Sequence, residues 1–150
     1  MPEAIICPGE RGDYADILEV WEASVRATHH FLSEADILFF RPLVQNECLP
    51  AVDLFCARDG QGELLGFIGV AGQKIEMLFL RPESFGCGLG KQLLLYAVRE
   101  LGAREVDVNE QNPGAVGFYE HMGFSVAARS PLDGMGKPFP LLHLRLEGNG

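Results

Sequence analysis

The chain has 150 residues, 47% of them hydrophobic and 22% charged, with 21 acidic against 12 basic residues and a formal net charge of -9. That balance is one of a globular domain, expected to be a single one over residues 1–150, and the length suffices to bury roughly 68–70% of the unfolded surface. Scattered Lys and Arg in an acidic chain argue against nucleic-acid binding, and no apolar run reaches the roughly 18 residues of a membrane span.

The N-terminal MPEAIICPGERGD has neither the basic start nor the apolar stretch of a signal peptide. Cys7, Cys48, Cys56 and Cys87 are far apart and form no CxxC. They are expected to be free thiols in the cytoplasm. His29 and His30 are adjacent, while His121 and His143 lack partner spacing, so no metal site is expected.

In chain order, IIC at 5–7 reads as a short first strand. Tyr14, Ile17, Leu18, Trp21 and Val25 recur at helical spacing in GDYADILEVWEASVRATHHF, with Asp13 as the candidate N-cap. SEADILFFRPLV reads as a second helix opened by a Ser33–Asp36 capping box, with Pro42 kinking or ending it. VDLFCAR, LLGFIGVAG and KIEMLFL are three strand-like runs, which predicts antiparallel pairing over residues 53–80. GKQLLLYAVREL is a helix closed by Gly102 in a left-handed C′ position. REVDVNE is a strand, and Asn112-Pro113 starts a short helix reaching towards Gly123. FSVAAR and PLLHLRLE close the chain as strands. The predicted order is βααβββαβαββ, a mixed α/β (α+β) sheet rather than a repeated doubly wound fold.

Between the third strand-like run and the helix lies PESFGCGLGKQ, residues 82–92, with glycines at 86, 88 and 90. The P-loop pattern GxxxxGK[ST] fails by one residue, and Gln92 stands where its Ser or Thr would be. GxGxxG fails too, since the glycines read GxGxG. The physics of an anion site remains. A strand, a glycine turn and a helix start present free N–H groups, and glycine lets a phosphate approach the backbone.

The stretches LFLRPESFGCGLGKQLL and NPGAVGFYEHMGF, in this order and at this spacing, resemble the two signature segments of the GNAT superfamily of acetyl-CoA-dependent N-acetyltransferases. The predicted element order resembles that fold almost throughout the chain. RATHHFLS, VNEQN and GKPFPLL are similar to a bacterial subgroup of it. The resemblance implies acetyl-CoA as co-substrate and no metal. It implies a small-molecule or peptide amine as acceptor, and allows a homodimer. It implies that the pyrophosphate lies on the loop Phe85, Gly86, Cys87, Gly88, Leu89, Gly90 and Lys91, with N–H donors from about Cys87 to Lys91. The pantetheine arm would pair with the main chain of Leu78, Phe79 and Leu80, and Asn112 and Tyr119 would also touch the coenzyme. Phe85 departs from the Arg or Gln usual in the family's Q/R-x-x-G-x-G/A motif, which removes a polar side chain from the phosphates. His29, His30, Phe31 and Asn109 are the candidate acceptor residues.

Transfer to a lysine-like amine requires loss of a proton, because only about one in a thousand such groups is neutral near pH 7.4. Glu76, on the strand leading into the loop, is the first candidate base, with Glu110, His29 and His30 as others. A backbone N–H on residues 77–80 would polarise the carbonyl. Tyr119 is the family-matched general acid to the leaving thiolate. Full proton donation from a phenol to a thiolate is uphill by about 2 kcal/mol in water, so a hydrogen bond to the thiolate is the less demanding role. Two other readings remain open at this point: a non-catalytic acyl-CoA binder or sensor on the same fold, and a nucleotide-binding enzyme.

Overall fold

The computed structural model describes residues 4–146. Its strands are β1 (Ile5–Pro8), β2 (Asp53–Arg58), β3 (Leu64–Ala71), β4 (Lys74–Leu80), β5 (Glu105–Asn109), β6 (Phe124–Ser130) and β7 (Leu141–Leu146). Its α-helices are α1 (Tyr14–Thr28), α2 (Glu34–Leu43), α3 (Leu89–Leu101) and α4 (Pro113–His121). The chain order is the βααβββαβαββ expected from the sequence. The strands form one mixed sheet in the order β1-β2-β3-β4-β5-β7-β6.

Helices cover the two faces of this sheet. Ile17, Val20, Trp21 and Val25 of α1 pack with Ile37 of α2 against Leu54, Cys56, Phe67 and Met77. On the opposite face Leu93, Leu94 and Ala97 of α3 and Tyr119 of α4 pack against Ile68, Val70, Ile75, Val106 and Leu144. Both layers follow from helical spacing of apolar residues on one side of each helix.

Local signals settle the helix ends. The Ser33 hydroxyl accepts from the Asp36 amide, and the Asp36 carboxylate accepts from the Ser33 amide, as a capping box requires. Gly102 has φ 72° and closes α3. The Asn112 side chain accepts from the Ala115 amide, with Pro113 first in α4.

Two details differ from expectation. Asp13 does not cap α1 with its side chain. Its carboxylate accepts instead from the Glu10 amide at 2.8 Å and from Arg58 at 2.7 Å, because an ion pair to β2 competes for the same oxygens. Helix α1 ends at Thr28 rather than running through the histidines, and His29 adopts φ -102° and ψ 63°. Pro42 is the penultimate residue of α2, as a residue that kinks or ends a helix should be. The α-helix closes at Leu43 and the chain widens into a π turn over Val44–Cys48.

Two departures from regular pairing shape the centre of the sheet. Val70 faces Ile75 and Gly69 faces Met77, so Glu76 is an extra residue, a β-bulge. Ile75 therefore packs on the α3 side and Met77 on the α1 side. The parallel pair β4–β5 holds only through Lys74↔Glu105 and Ile75↔Val106. Beyond it the two strands part, and among the described residues the β5-facing edge of Leu78–Leu80 has no strand partner.

Candidate active site

The gap between β4 and β5 opens into a cavity of about 570 Å³ that crosses the sheet. Leu78, Phe79 and Leu80 form its floor. Phe85, Gly86, Gly88, Gly90 and Lys91 line one end, Asn112, Ala115, Phe118 and Tyr119 one side, and Ser24, Thr28 and His29 of α1 the other. A second cavity, of about 660 Å³, lies between α1 and the π turn and includes no residue of the glycine loop or the strand gap.

The glycine end has the geometry of an anion cradle. Gly86 and Gly88 have φ of 75° and 89°, conformations that residues with a Cβ adopt at a cost. The first α3 amide bonded back into the chain is that of Gln92, on the Gly88 carbonyl at 3.0 Å, so the amides of Leu89, Gly90 and Lys91 precede the helical ladder. A Cβ on Gly90 would sit 3.6 Å from Leu80 and Phe118, closing the space above the strand. The Lys91 side chain is exposed at this end, and the Phe85 ring, 40% exposed, forms part of the wall. The Cys87 thiol donates to the Ser84 carbonyl at 2.8 Å, which gives it a role in the turn. The Leu89 side chain is buried in the core beneath the loop and is not part of the cavity lining.

Tyr119 is 6% exposed, with its ring against Phe118 and Phe124 at centroid distances of 5.1 and 5.6 Å. Its hydroxyl makes no hydrogen bond among the described residues. Burial raises the phenol well above its ordinary pKa. It is thus a protonated donor at every physiological pH, and a weaker acid than a free phenol.

His29 forms the opposite wall. Thr28 has one hydroxyl proton and two contacts, the Ser24 carbonyl at 2.8 Å and His29 Nδ1 at 2.7 Å. A carbonyl can only accept, so the hydroxyl proton goes to Ser24. Nδ1 then carries hydrogen and donates to Thr28, which leaves Nε2 with a free lone pair. Burial, with a smaller push from His30, lowers the imidazole pKa to about 4. The ring packs on Phe31 at 5.3 Å and Phe79 at 6.3 Å.

The remaining sequence candidates lie outside the cavity lining. Glu76 sits on the bulge, exposed, 3.5 Å from Lys74. Glu110 is paired with Arg129 at 2.5 Å. His30 is exposed, Phe31 stands behind His29, and the Asn109 carbonyl accepts from the Asn112 amide. Ser24, Thr28, Ala115 and Phe118 line the cavity without having been singled out as site residues. The signal for Thr28 was its place beside His29, one turn after a helical serine.

Residues 50–126, which hold the loop, the strand gap and all of α4, match the family model described as the acetyltransferase (GNAT) domain. The chain belongs to the GNAT acetyltransferases. It is 42% identical over 128 residues to peptidyl-lysine N-acetyltransferase YjaB of Salmonella typhimurium, across 85% of this chain and 88% of that protein. The solution structure of apo YjaB from Escherichia coli superposes with a TM-score of 0.87 at 37% identity, covering 97% of this chain and 98% of that one. The PaiA N-acetyltransferase of Thermoplasma acidophilum, solved in complex with coenzyme A, shares the fold with a TM-score of 0.74 at 23% identity, over 97% and 100% of the two chains. This GNAT acetyltransferase thus comes from a family that uses acetyl-CoA. The cradle and the unpaired edge of β4 fit a pyrophosphate and an extended thioester arm.

Proposed function

We propose that the protein moves an acetyl group from acetyl-CoA to the side-chain amine of a peptidyl lysine, by direct attack within a ternary complex. The observation that carries this reading is the continuous cavity from the glycine amides, past the unpaired edge of Leu78–Leu80, to Tyr119 and His29. The acceptor class comes from the names of the YjaB relatives and suits an acidic chain.

Amides at the start of α3 take the pyrophosphate. The pantetheine arm extends along β4, which offers main-chain groups towards the gap. The thioester then lies between Tyr119 and His29. The amine nitrogen attacks the carbonyl carbon, the N–C bond forms and the C–S bond breaks. A strand amide of residues 77–80 stabilises the oxyanion. Tyr119 donates a hydrogen bond to the departing thiolate. Its raised pKa favours this role over full protonation. The Nε2 atom of His29 accepts a hydrogen bond from the amine and orients its lone pair. With a pKa of about 4 this imidazole does not hold the proton near neutrality, so the proton passes to water. Glu76, bound to Lys74 outside the wall, has no direct path to the amine.

The test is thiol release on mixing the protein, acetyl-CoA and a lysine-bearing peptide, with the peptide followed by mass. Release matched by acetylated peptide is expected. Tight acetyl-CoA binding with no release for any amine would favour the non-catalytic binder.

A further inference from the structure

The cysteines are far apart in sequence, and the sheet brings two of them face to face. Strands β1 and β2 pair antiparallel with Cys7 opposite Cys56, between the pairs Ile6↔Ala57 and Pro8↔Phe55. Facing residues on antiparallel strands project to the same side of a sheet. Both thiols pack against the apolar cluster beneath α1, with Cys56 fully buried and Cys7 half-buried.

The spacing of this pair suits a covalent bond. The Gly9 amide donates to the Leu54 carbonyl at 2.8 Å, so residues 9 and 54 are a hydrogen-bonded facing pair. Alternation along the ladder makes Cys7 and Cys56 a pair of the same kind, with Cα atoms about 5.5 Å apart. A disulfide spans Cα separations of about 4.4–6.8 Å, most often near 5.5–6 Å. The Cys56 sulfur also has room on the β1 side. A Cβ on Gly9 would lie 3.1 Å from it, and the missing side chain leaves that space to the sulfur. Cys48 ends the π turn and Cys87 lies in the glycine loop, where its thiol donates to Ser84, and the strand register places neither opposite another cysteine.

We propose that Cys7 and Cys56 are a site of reversible oxidative cross-linking, joined by hydrogen peroxide into a disulfide across the β1–β2 ladder. The half-buried Cys7 reacts first. Its sulfur attacks one peroxide oxygen, the O–O bond breaks, and Cys7 becomes a sulfenic acid as one water leaves. The Cys56 sulfur then attacks the Cys7 sulfur, the S–O bond breaks, and a second water leaves. Two thiols lose two electrons and two protons, and one peroxide becomes two waters. Burial pushes the Cys56 thiol up to about 11. The second step is therefore the slower one, and the sulfenic acid lasts long enough to be trapped. The bridge closes a covalent ring that contains α1, α2 and the cavity-wall residues Ser24, Thr28 and His29. A long closed ring constrains the unfolded chain, so the oxidised protein is the more stable form.

The experiment treats the folded protein with a small excess of hydrogen peroxide, blocks the remaining thiols with iodoacetamide and maps disulfides by mass spectrometry of unreduced peptides. A parallel sample is oxidised in urea. A peptide linking Cys7 to Cys56 is expected as the main intramolecular bridge. It should form at least about tenfold faster in the folded protein than in urea, and dithiothreitol should reverse it. Dimedone added with the peroxide should divert the reaction to an adduct on Cys7. Cys7→Ser, on the edge strand, should abolish the bridge, while Cys48→Ser and Cys87→Ser should keep it. The cross-linked protein should melt roughly 5 °C or more above the reduced one. The proposal falls if the folded protein yields no Cys7–Cys56 peptide, if Cys48 or Cys87 takes the bridge instead, or if the link forms equally fast in urea. A lower melting temperature after cross-linking would overturn the fit of the bridge to the native register.

Discussion

Tyr119 is buried, protonated and part of the cavity wall, and in the proposed mechanism it meets the departing sulfur. Its ring packing against Phe118 and Phe124 involves carbon atoms only, so Tyr119→Phe keeps the packing and removes the donor. This substitution should lower kcat roughly 10- to 1000-fold. The dissociation constant for acetyl-CoA, read by calorimetry, should change little, and unchanged turnover would remove the hydroxyl from the mechanism. His29 makes a separate claim, on stability. Its pKa falls from 6.5 to about 4 in the fold, through burial first and His30 second. Between those values the unfolded chain takes up a proton that the folded chain refuses. The stabilising effect is complete above about pH 6.5, declines as the pH falls towards 4, and loses nothing further below that. The full difference is worth roughly 3 kcal/mol. Urea midpoints measured from pH 7 to pH 4 should fall more steeply for the natural protein than for His29→Gln. Parallel curves would show that this imidazole titrates normally.

Strand β4 lines the cavity with Leu78, Phe79 and Leu80, and its neighbour β3 holds that edge in place by being small. A Cβ on Gly66 would lie 2.6 Å from Leu80 Cδ2 and 3.0 Å from the Phe79 carbonyl oxygen. The leucine end can move, but it would move in the cavity floor. Gly66→Ala should therefore cost about 1–3 kcal/mol in unfolding free energy. It should also weaken acetyl-CoA binding, and an affinity equal to that of the natural protein would show that the floor tolerates displacement. At this scale the sequence was readable where signals are local. The Ser33–Asp36 box, Gly102 and Asn112-Pro113 each act within four residues, and each is in place. The glycine loop was legible for the same reason, since its failed P-loop spacing and its match to a GNAT motif are both one-dimensional. The bulge at Glu76 was not legible. Strict alternation along KIEMLFL puts residues 75, 77 and 79 on one face, whereas the extra residue is fixed by pairing with β3, a partner several residues away. Glu76, the first candidate base for its place on the strand leading into the loop, sits on that bulge and meets Lys74. Asp13 was misread for a similar reason, because Arg58, 45 residues on, takes its carboxylate.

The whole molecule is a sheet with helices on two faces and one fault line, the separation of β4 and β5 after two paired residues. Neither strand announces this. It arises because α3 and the glycine loop occupy one side of the gap, α1 ends on the other, and the space between is left to a ligand. Only the family resemblance, not the periodicity, anticipated it. A ligand that fills this gap binds the folded chain and not the unfolded one, so it must raise the melting temperature. At about 100 times its dissociation constant it adds roughly 2.7 kcal/mol, which for a chain of this length is about 5–10 °C. Acetyl-CoA should produce that shift, because it has both a pyrophosphate for the α3 amides and an arm for the β4 edge. ATP and NAD have phosphates but no arm. Their shifts should be much smaller if the strand edge contributes to binding, and similar to that of acetyl-CoA if the glycine loop alone holds the ligand. The second result would make the loop a general anion site and detach the strand gap from coenzyme recognition. No shift with acetyl-CoA would mean that Phe85, in place of the family's Arg or Gln, has weakened phosphate binding beyond what Lys91 and the helix amides restore.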